Sequence, residues 1–443
     1  MTKKQIGYKA FALAACTALA INISAQEKWT LASCIEYARE KNIQVQKSKL
    51  TVESYEVDVM QSKAALFPSL SGTVSQNFNN SQTDEKGDGN YRYKGLFTGN
   101  YGLNANWTIY NGNRNRNAVK QSKLQKDAEE LNTQNIQNNI EISIAQAYLQ
   151  ILYTRESIKN DENILASSEA QLKQSKDFLD AGSITMSEYA QVEAQYSSYK
   201  YDLVVAQNSF DNYKLQLKQL LELDYNTNFD LDFPDINDNL VLQLLPEKYE
   251  VYETALNLMP EIKNSKLGID IANLGISTAK AGRLPTIALS GNLGTSNVYN
   301  ESPGFFKQFG RNFTQGIGIS LSIPIFDNSQ NKANIQKANI EYQTAELNLI
   351  DAQKTLLKTI EGLYQDAVSA QSKYVAAKDK LKSAELSYQL MKEQYDLGLS
   401  STLEMTTEKN NYANALQELL QAKYTALISI KLLDFYQGKT ITI

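Results

Sequence analysis

The chain repeats itself at a period close to half its length, and this restricts the fold more than any other property. Ser48-Lys49-Leu50 recurs as Ser265-Lys266-Leu267, and Lys63-Ala64-Ala65-Leu66-Phe67-Pro68 recurs as Lys280-Ala281-Gly282-Arg283-Leu284-Pro285, both at an offset of 217. Trp107-Thr108-Ile109-Tyr110 corresponds to Ile323-Pro324-Ile325-Phe326, and Asp180-Ala181-Gly182 to Asp396-Leu397-Gly398, both at 216. Each match is weak alone. Four in order at nearly one offset mark a tandem duplication.

Within each copy the pattern reads helix, strand, loop, strand, very long helix, tight turn, helix. Residues 26–225 form the first structural repeat, 226–255 an acidic connection carrying Asp230, Asp232, Asp235 and Asp238, and 256–443 the second repeat. A helical pattern begins near Thr30 and stops at Pro68, as another stops at Pro285, because proline disfavours helix in the residue before it and donates no backbone hydrogen bond. Period-two alternation follows: Tyr101, Leu103, Ala105, Trp107 and Ile109 oppose Gly102, Asn104, Asn106 and Thr108. In the second copy Ile317, Ile319, Leu321, Ile323 and Ile325 oppose Gly318, Ser320, Ser322 and Pro324.

The tract from about Asn113 to Ala181 has no proline and no interior glycine, and Ile144, Ile151, Ile158, Leu165, Leu172 and Leu179 recur every seventh residue. The matching positions in the second copy are Ile360, Ala367, Tyr374, Leu381, Tyr388 and Tyr395. A sustained seven-residue repeat is a coiled-coil seam, so the tyrosines read as packing residues before they read as a ligand-binding ladder. A tract of this length extends roughly 100 Å. Each tract ends at a glycine, Gly182 or Gly398, where a sharp reversal requires positive φ.

The N-terminal 25 residues read as a signal peptide, with basic Lys3, Lys4 and Lys9, an apolar stretch, and cleavage between Ala25 and Gln26. A second reading takes Leu13-Ala14-Ala15-Cys16 as a lipoprotein box with Cys16 lipidated. Cleavage after Ala25 leaves Cys34 alone, so the exported fold holds without internal disulfides. No run of 18 apolar residues follows, hence no membrane-spanning helix is expected. Strands of membrane-crossing length separated by long polar loops near Asn80–Thr98 and Thr295–Asn312 suit a β-barrel, with the loops outside.

Four strands cannot close a spanning barrel, and open edges cannot sit in hydrocarbon. Several chains must share one barrel. Two chains give eight strands and a lumen filled by side chains; three give twelve and a pore. The sequence has no histidine, which removes His-based triads and His-ligated metal sites. A net charge of −5 gives no basic surplus for nucleic acid. No nucleophile–base pair or ligand cluster points to an enzyme, and no cofactor is called for.

Across its mature length the sequence resembles the TolC-like outer membrane efflux protein family. The residues that carry the resemblance are Leu31-x-x-Cys34-Ile35-x-x-Ala38 leading to Asn42, the junctions Leu66-Phe67-Pro68-Ser69-Leu70 and Leu284-Pro285-Thr286-Ile287, Trp107-x-x-Tyr110-Asn111-Gly112, and the turns Phe178-x-x-Ala181-Gly182 and Tyr395-Asp396-Leu397-Gly398. The resemblance implies a homotrimer in the outer membrane of a Gram-negative bacterium. Its twelve-stranded β-barrel would continue into a periplasmic α-barrel of long coiled-coil helices. It further implies a closable aperture whose tip turns, Gly182-Ser183 and Gly398-Leu399, dock a periplasmic adaptor served by an inner-membrane pump of the resistance-nodulation-division or ABC type. Small-molecule efflux is the leading expectation, with type I protein secretion as the alternative and a periplasmic coiled-coil scaffold as the rival. In that family an acid six residues beyond the turn glycine lies near the constriction, which here selects Glu188 and Glu404; any helix start also attracts acids, so both readings stand. The family's further aspartate is absent, replaced by Gln191 and Thr407.

Overall fold

The computed structural model describes residues 28–83, 89, 92–224, 226–227, 229–299 and 303–443. The signal peptide, its Ala25–Gln26 cleavage site and Cys16 lie outside the described residues.

The duplication is visible element by element. In the first copy, helices α1 (Leu31–Lys41) and α2 (Ile43–Ala64) lead into strands β1 (Ser69–Thr83) and β2 (Arg92–Asn111). Helix α3 (Arg114–Asp180) follows, then the return helix α4 (Met186–Leu220). A short helix, α5 (Asp238–Val241), interrupts the connection. The second copy comprises α6 (Lys248–Leu258), α7 (Pro260–Ala281), β3 (Thr286–Val298), α8 (Phe305–Arg311), β4 (Thr314–Ser322), α9 (Gln330–Asp396) and α10 (Thr402–Tyr436). The two long helices are each 67 residues and the two return helices each 35.

The helix expected to run unbroken from Thr30 to Phe67 is divided at Asn42. There the backbone is extended (φ −60°, ψ 130°), and the Asn42 side chain caps α2 by accepting from the Gln44 N–H at 2.9 Å. Met259 takes the same extended conformation between α6 and α7, with Pro260 preset at the first helical position. Both breaks let the chain bend around the core. Helices α1, α2 and α4 lie along α3, so two shorter helices together run beside one of roughly 100 Å.

The core sits midway along these staves rather than at either end. Cys34, Ile144, Tyr148, Ile151, Leu217, Val251, Ile262, Ile360, Leu427 and Leu433 are all buried there. The acidic connection contributes apolar residues to it: Phe229, Leu231 and Val241 are buried, and the Tyr148 hydroxyl donates to the Asp232 carbonyl at 2.6 Å. Burial pushes the Cys34 thiol up to about 12, so this cysteine packs as a small apolar group.

In α9 the heptad expectation holds where Ile360, Ala367, Tyr374 and Tyr395 are buried. In the lower half of α3 the buried line is Ile164, Ser168, Gln171 and Ser175, one residue before the expected Leu165, Leu172 and Leu179, which are half-buried. The reason is that this line faces the second copy through polar contacts: Ser175 shares a hydrogen bond with Tyr395 at 3.3 Å and Gln171 accepts from Lys409 at 3.3 Å. A pattern read from apolar residues alone misses such a seam.

The strands form one antiparallel sheet in the order β1-β2-β3-β4. At both helix-to-strand junctions proline stands between the last helical turn and the first sheet residue, Pro68 before Ser69 and Pro285 before Thr286. Gly112 turns the chain from β2 into α3 at φ 68°, where a Cβ would lie 2.9 Å from the Ala281 carbonyl oxygen.

Candidate functional site: a polar-lined sheet face and paired helical tips

The register sorts every strand into two faces. Opposed pairs Leu70↔Ala105, Gly72↔Leu103 and Val74↔Tyr101 share one face with Leu293, Leu289 and Ile287 of β3 and with Ile317, Ile319 and Leu321 of β4. Leu70 and Val74 are each 74% exposed, Ile317 89% and Ile319 73%. An apolar face left this open has no place in water and is what a lipid-facing surface requires. The opposite face carries Ser69, Ser71, Thr73, Asn100, Asn104, Asn106, Ser290, Asn292, Ser296 and Ser320. These side chains are polar and uncharged, suited to water. Among the described residues no helix is long and apolar enough to cross a membrane. The free edges of β1 and β4 need partners, since each unpaired backbone group in hydrocarbon costs several kcal/mol.

At the far end, α3 and α9 each terminate in the same motif. Gly182 (φ 73°) donates to the Leu179 carbonyl at 2.9 Å and Ser183 to Phe178 at 2.8 Å; Gly398 (φ 74°) donates to Tyr395 at 3.0 Å and Leu399 to Gln394 at 2.8 Å. These paired bonds satisfy the last helical carbonyls while reversing the chain. The return helices then start with matching capping boxes. The Glu188 carboxylate accepts from the Thr185 N–H at 2.7 Å and its hydroxyl at 2.9 Å, and Glu404 accepts from Ser401 at 2.8 and 2.9 Å. Those backbone and hydroxyl donors hold both carboxyls below the usual carboxylate range. Each acid therefore closes its own helix start, in accord with the helix-start reading of the two residues.

Tertiary packing brings the tips side by side. Gln174 donates to Asp396 at 3.0 Å, Ser175 bonds Tyr395, and the rings of Phe178 and Tyr395 lie 6.1 Å apart. Around the turns Met186, Leu397, Leu399 and Leu403 are exposed apolar side chains.

Above the tips a polar layer joins the two copies, and sequence reasoning did not find it. Gln195 and Asn410 exchange two amide hydrogen bonds, at 2.9 and 3.1 Å, while Tyr199 donates to Asn410 at 2.7 Å. Beside them Lys409 is only 2% exposed, its ammonium 3.3 Å from Gln171 Oε1 and over the Tyr199 ring at 5.6 Å. Burial, aided by Lys392, pushes that ammonium down to about 7. No apolar or charge pattern announces the layer, because each partner is an isolated amide or hydroxyl.

The profile of the outer membrane efflux protein family matches residues 34–222 and 251–439, one match per copy. The chain belongs to that family. It is 22% identical over 402 residues to the outer membrane efflux protein BepC of Brucella suis, covering 90% of this chain and 83% of that one. It is also 22% identical over 365 residues to the outer membrane protein TolC of Escherichia coli, covering 74% and 72%. Among solved structures CusC superposes with a TM-score of 0.80 at 19% identity, over 93% of this chain and 92% of the other. This outer membrane efflux protein is accordingly a channel subunit of the outer membrane. Three chains with four strands each complete the barrel, and the helices extend into the periplasm.

Proposed function

We propose that this efflux channel is the exit duct of a tripartite assembly. In this reading the paired tips of three chains form a closable aperture, and Gly182-Ser183 and Gly398-Leu399 present the docking surface for a periplasmic adaptor. An inner-membrane pump of the resistance-nodulation-division or ABC type drives small molecules into the duct. The observation that carries the reading is the pairing of two identical helical reversals, ringed by exposed Met186, Leu397, Leu399 and Leu403, at the end opposite the sheet. Apolar side chains at the water-exposed end of a long stave call for a partner. Glu188 and Glu404 from three chains place carboxylates near the narrow end, where a ring of acids favours cations.

The test pairs two measurements. Cysteines placed at Ser183 and Leu399 are expected to cross-link to the co-expressed adaptor, and exchanging Leu399 and Leu403 for serine is expected to abolish export while heat-modifiable trimers persist in the outer-membrane fraction. Full export by the serine variant would remove the tips as a docking surface. A soluble monomer would remove the duct itself.

A further inference from the structure

Near the tips the two copies meet largely through neutral groups. Ser167 bonds Tyr388 at 3.1 Å, Ser175 bonds Tyr395, and Gln195 and Tyr199 both bond Asn410. The Lys409 ammonium, from α10, stands among them at 2% exposure. An ammonium carries three donors and no acceptor. Here one donor reaches Gln171 Oε1 at 3.3 Å, and the Tyr199 ring lies 5.6 Å away. Gln171 is itself 7% exposed, and its Nε2 has no hydrogen-bond partner among the described residues. A buried cation beside an orphaned donor is a mismatch. Removal of one proton relieves it, because a neutral amine carries a lone pair, an acceptor beside the Gln171 amide.

No neighbouring helix supplies the missing negative charge. Among the described residues Lys409 forms no ion pair. The charged residues of α3 in this stretch, Glu169 and Lys173, are exposed, as are Glu193, Lys200 and Asp202 of α4. From α9, Lys392 adds like charge. Within α10, the Glu408 carboxylate accepts from Ser387 at 3.0 Å and Asn411 at 3.3 Å, and Tyr412 stacks on Tyr388 at 5.4 Å. Burial pushes the Tyr199 and Tyr412 hydroxyls up, so neither offers an anion.

We propose that Lys409 is a proton-operated latch between the two copies: α10 stays closed on α3 and α4 while the amine is neutral, and the tips part when it takes up a proton from solvent. The sign follows from the burial. With the copies joined, the ammonium is pushed down to about 7; separation returns the amine to water and to the usual lysine value of 10.5. Between those limits each separation takes up one proton, so the ratio of parted to joined tips rises by up to about tenfold per unit fall in pH. Below about 7 both states are protonated and the ratio levels off. Asp161, roughly 15 Å further up α3, acts elsewhere and in the opposite sense. Burial raises its carboxyl from 3.8 to about 6, so parting there releases a proton, and only in that lower window. The latch is a contact within one chain and is independent of any adaptor or pump; only its effect on an aperture rests on the proposed duct.

Spin labels at S183C and L399C, read by pulsed electron resonance in detergent-solubilised trimers, report the tip-to-tip distance; Cys34 is buried and takes no label. The short distance is expected to give way to longer ones as pH falls from 9 to about 7, with no further change below. K409M is expected to keep the short distance at every pH, and K409R, charged throughout, to show the longer ones even at pH 9. If K409R does not assemble, K409M decides alone. A wild-type distribution that does not move between pH 9 and 7, or a K409M distribution that moves as the wild type does, overturns the latch. Conductance in planar bilayers separates the two readings: tips that part with pH while conductance stays constant support the latch and remove the aperture.

Discussion

The Asn331 side chain donates to the carbonyl of Gly282 at 3.0 Å, tying the start of α9 to the end of α7 just where the chain enters the sheet. The same bond exists in the first copy: Asn115, 216 residues earlier, donates to the Ala65 carbonyl at 3.2 Å. Each asparagine also belongs to a local cap, with the Asn331 N–H bonded to Asp327 at 2.9 Å and the Asn115 N–H to Asn111 at 3.2 Å. The bond satisfies a helix-end carbonyl and sets the angle between stave and sheet.

Replacing Asn115 or Asn331 with alanine therefore removes a latch at the barrel–stave junction. Each change is expected to cost about 1–2 kcal/mol, with the two nearly additive since the sites share no partner. The check is the temperature at which trimers dissociate on heated gels. Wild-type behaviour of the double variant would show that sheet pairing alone sets the junction.

Gly182 and Gly398 sit at φ 73° and 74° with open space where a Cβ would stand, so only backbone strain opposes a side chain. Alanine at either position is expected to cost about 1 kcal/mol locally. Hydrogen exchange should rise at residues 178–190 or 394–406 while the distant sheet stays protected. Uniform loosening of the whole stave would refute a local role.

Glu188 and Glu404 have carboxyl pKa values depressed by capping donors. Such a group stabilises the fold above its unfolded pKa, and this contribution is lost as pH falls through the lower folded value. Exchange protection of the first turns of α4 and α10 should thus hold from neutral pH down to about 4.5 and fade below it. In planar bilayers, alanine at both positions is expected to raise conductance or change cation block if the acids also face the aperture. Unchanged conductance and block would leave them as helix caps only.

Lys409 tests the layer between the two copies. Its folded pKa of about 7 lies below the usual lysine value of 10.5, so the folded state binds fewer protons than the unfolded state between those limits. The cost of burying the amine is absent above pH 10.5, grows as pH falls, and is complete below about 7. Lys409→Met is expected to stabilise the protein by about 2 kcal/mol or more at pH 6, with the gain shrinking towards pH 10. A gain that does not vary with pH would mean the amine is solvated in the trimer.

Much of the architecture is legible in order and length. The long uninterrupted tract specifies α3 to within a residue, since no proline or glycine falls inside it, and Gly182 and Gly398 close α3 and α9. The alternation of Ile317, Ile319 and Leu321 with Gly318, Ser320 and Ser322 likewise specifies two sheet faces. The break at Asn42 escapes this reading, because asparagine ends a helix only when a carbonyl or amide is in place to meet it; here its Nδ2 donates to Leu220, 178 residues away. Helix α8 escapes too, being held by Gln308 and Thr295 contacts across the loop rather than by its own propensity.

The sequence by itself determined the duplication, the lengths of the long helices, the reversals at Gly182 and Gly398, and the shortage of strands that forces chains to associate. These follow from local sterics and periodicity, which act within a few residues. Only the tertiary structure decided which line of α3 faces the second copy, that Lys409 lies buried beside Gln171, and that the two tips stand together. Those depend on hydrogen bonds between residues more than 200 positions apart, whose partners are set by how the two copies pack and by nothing local to either.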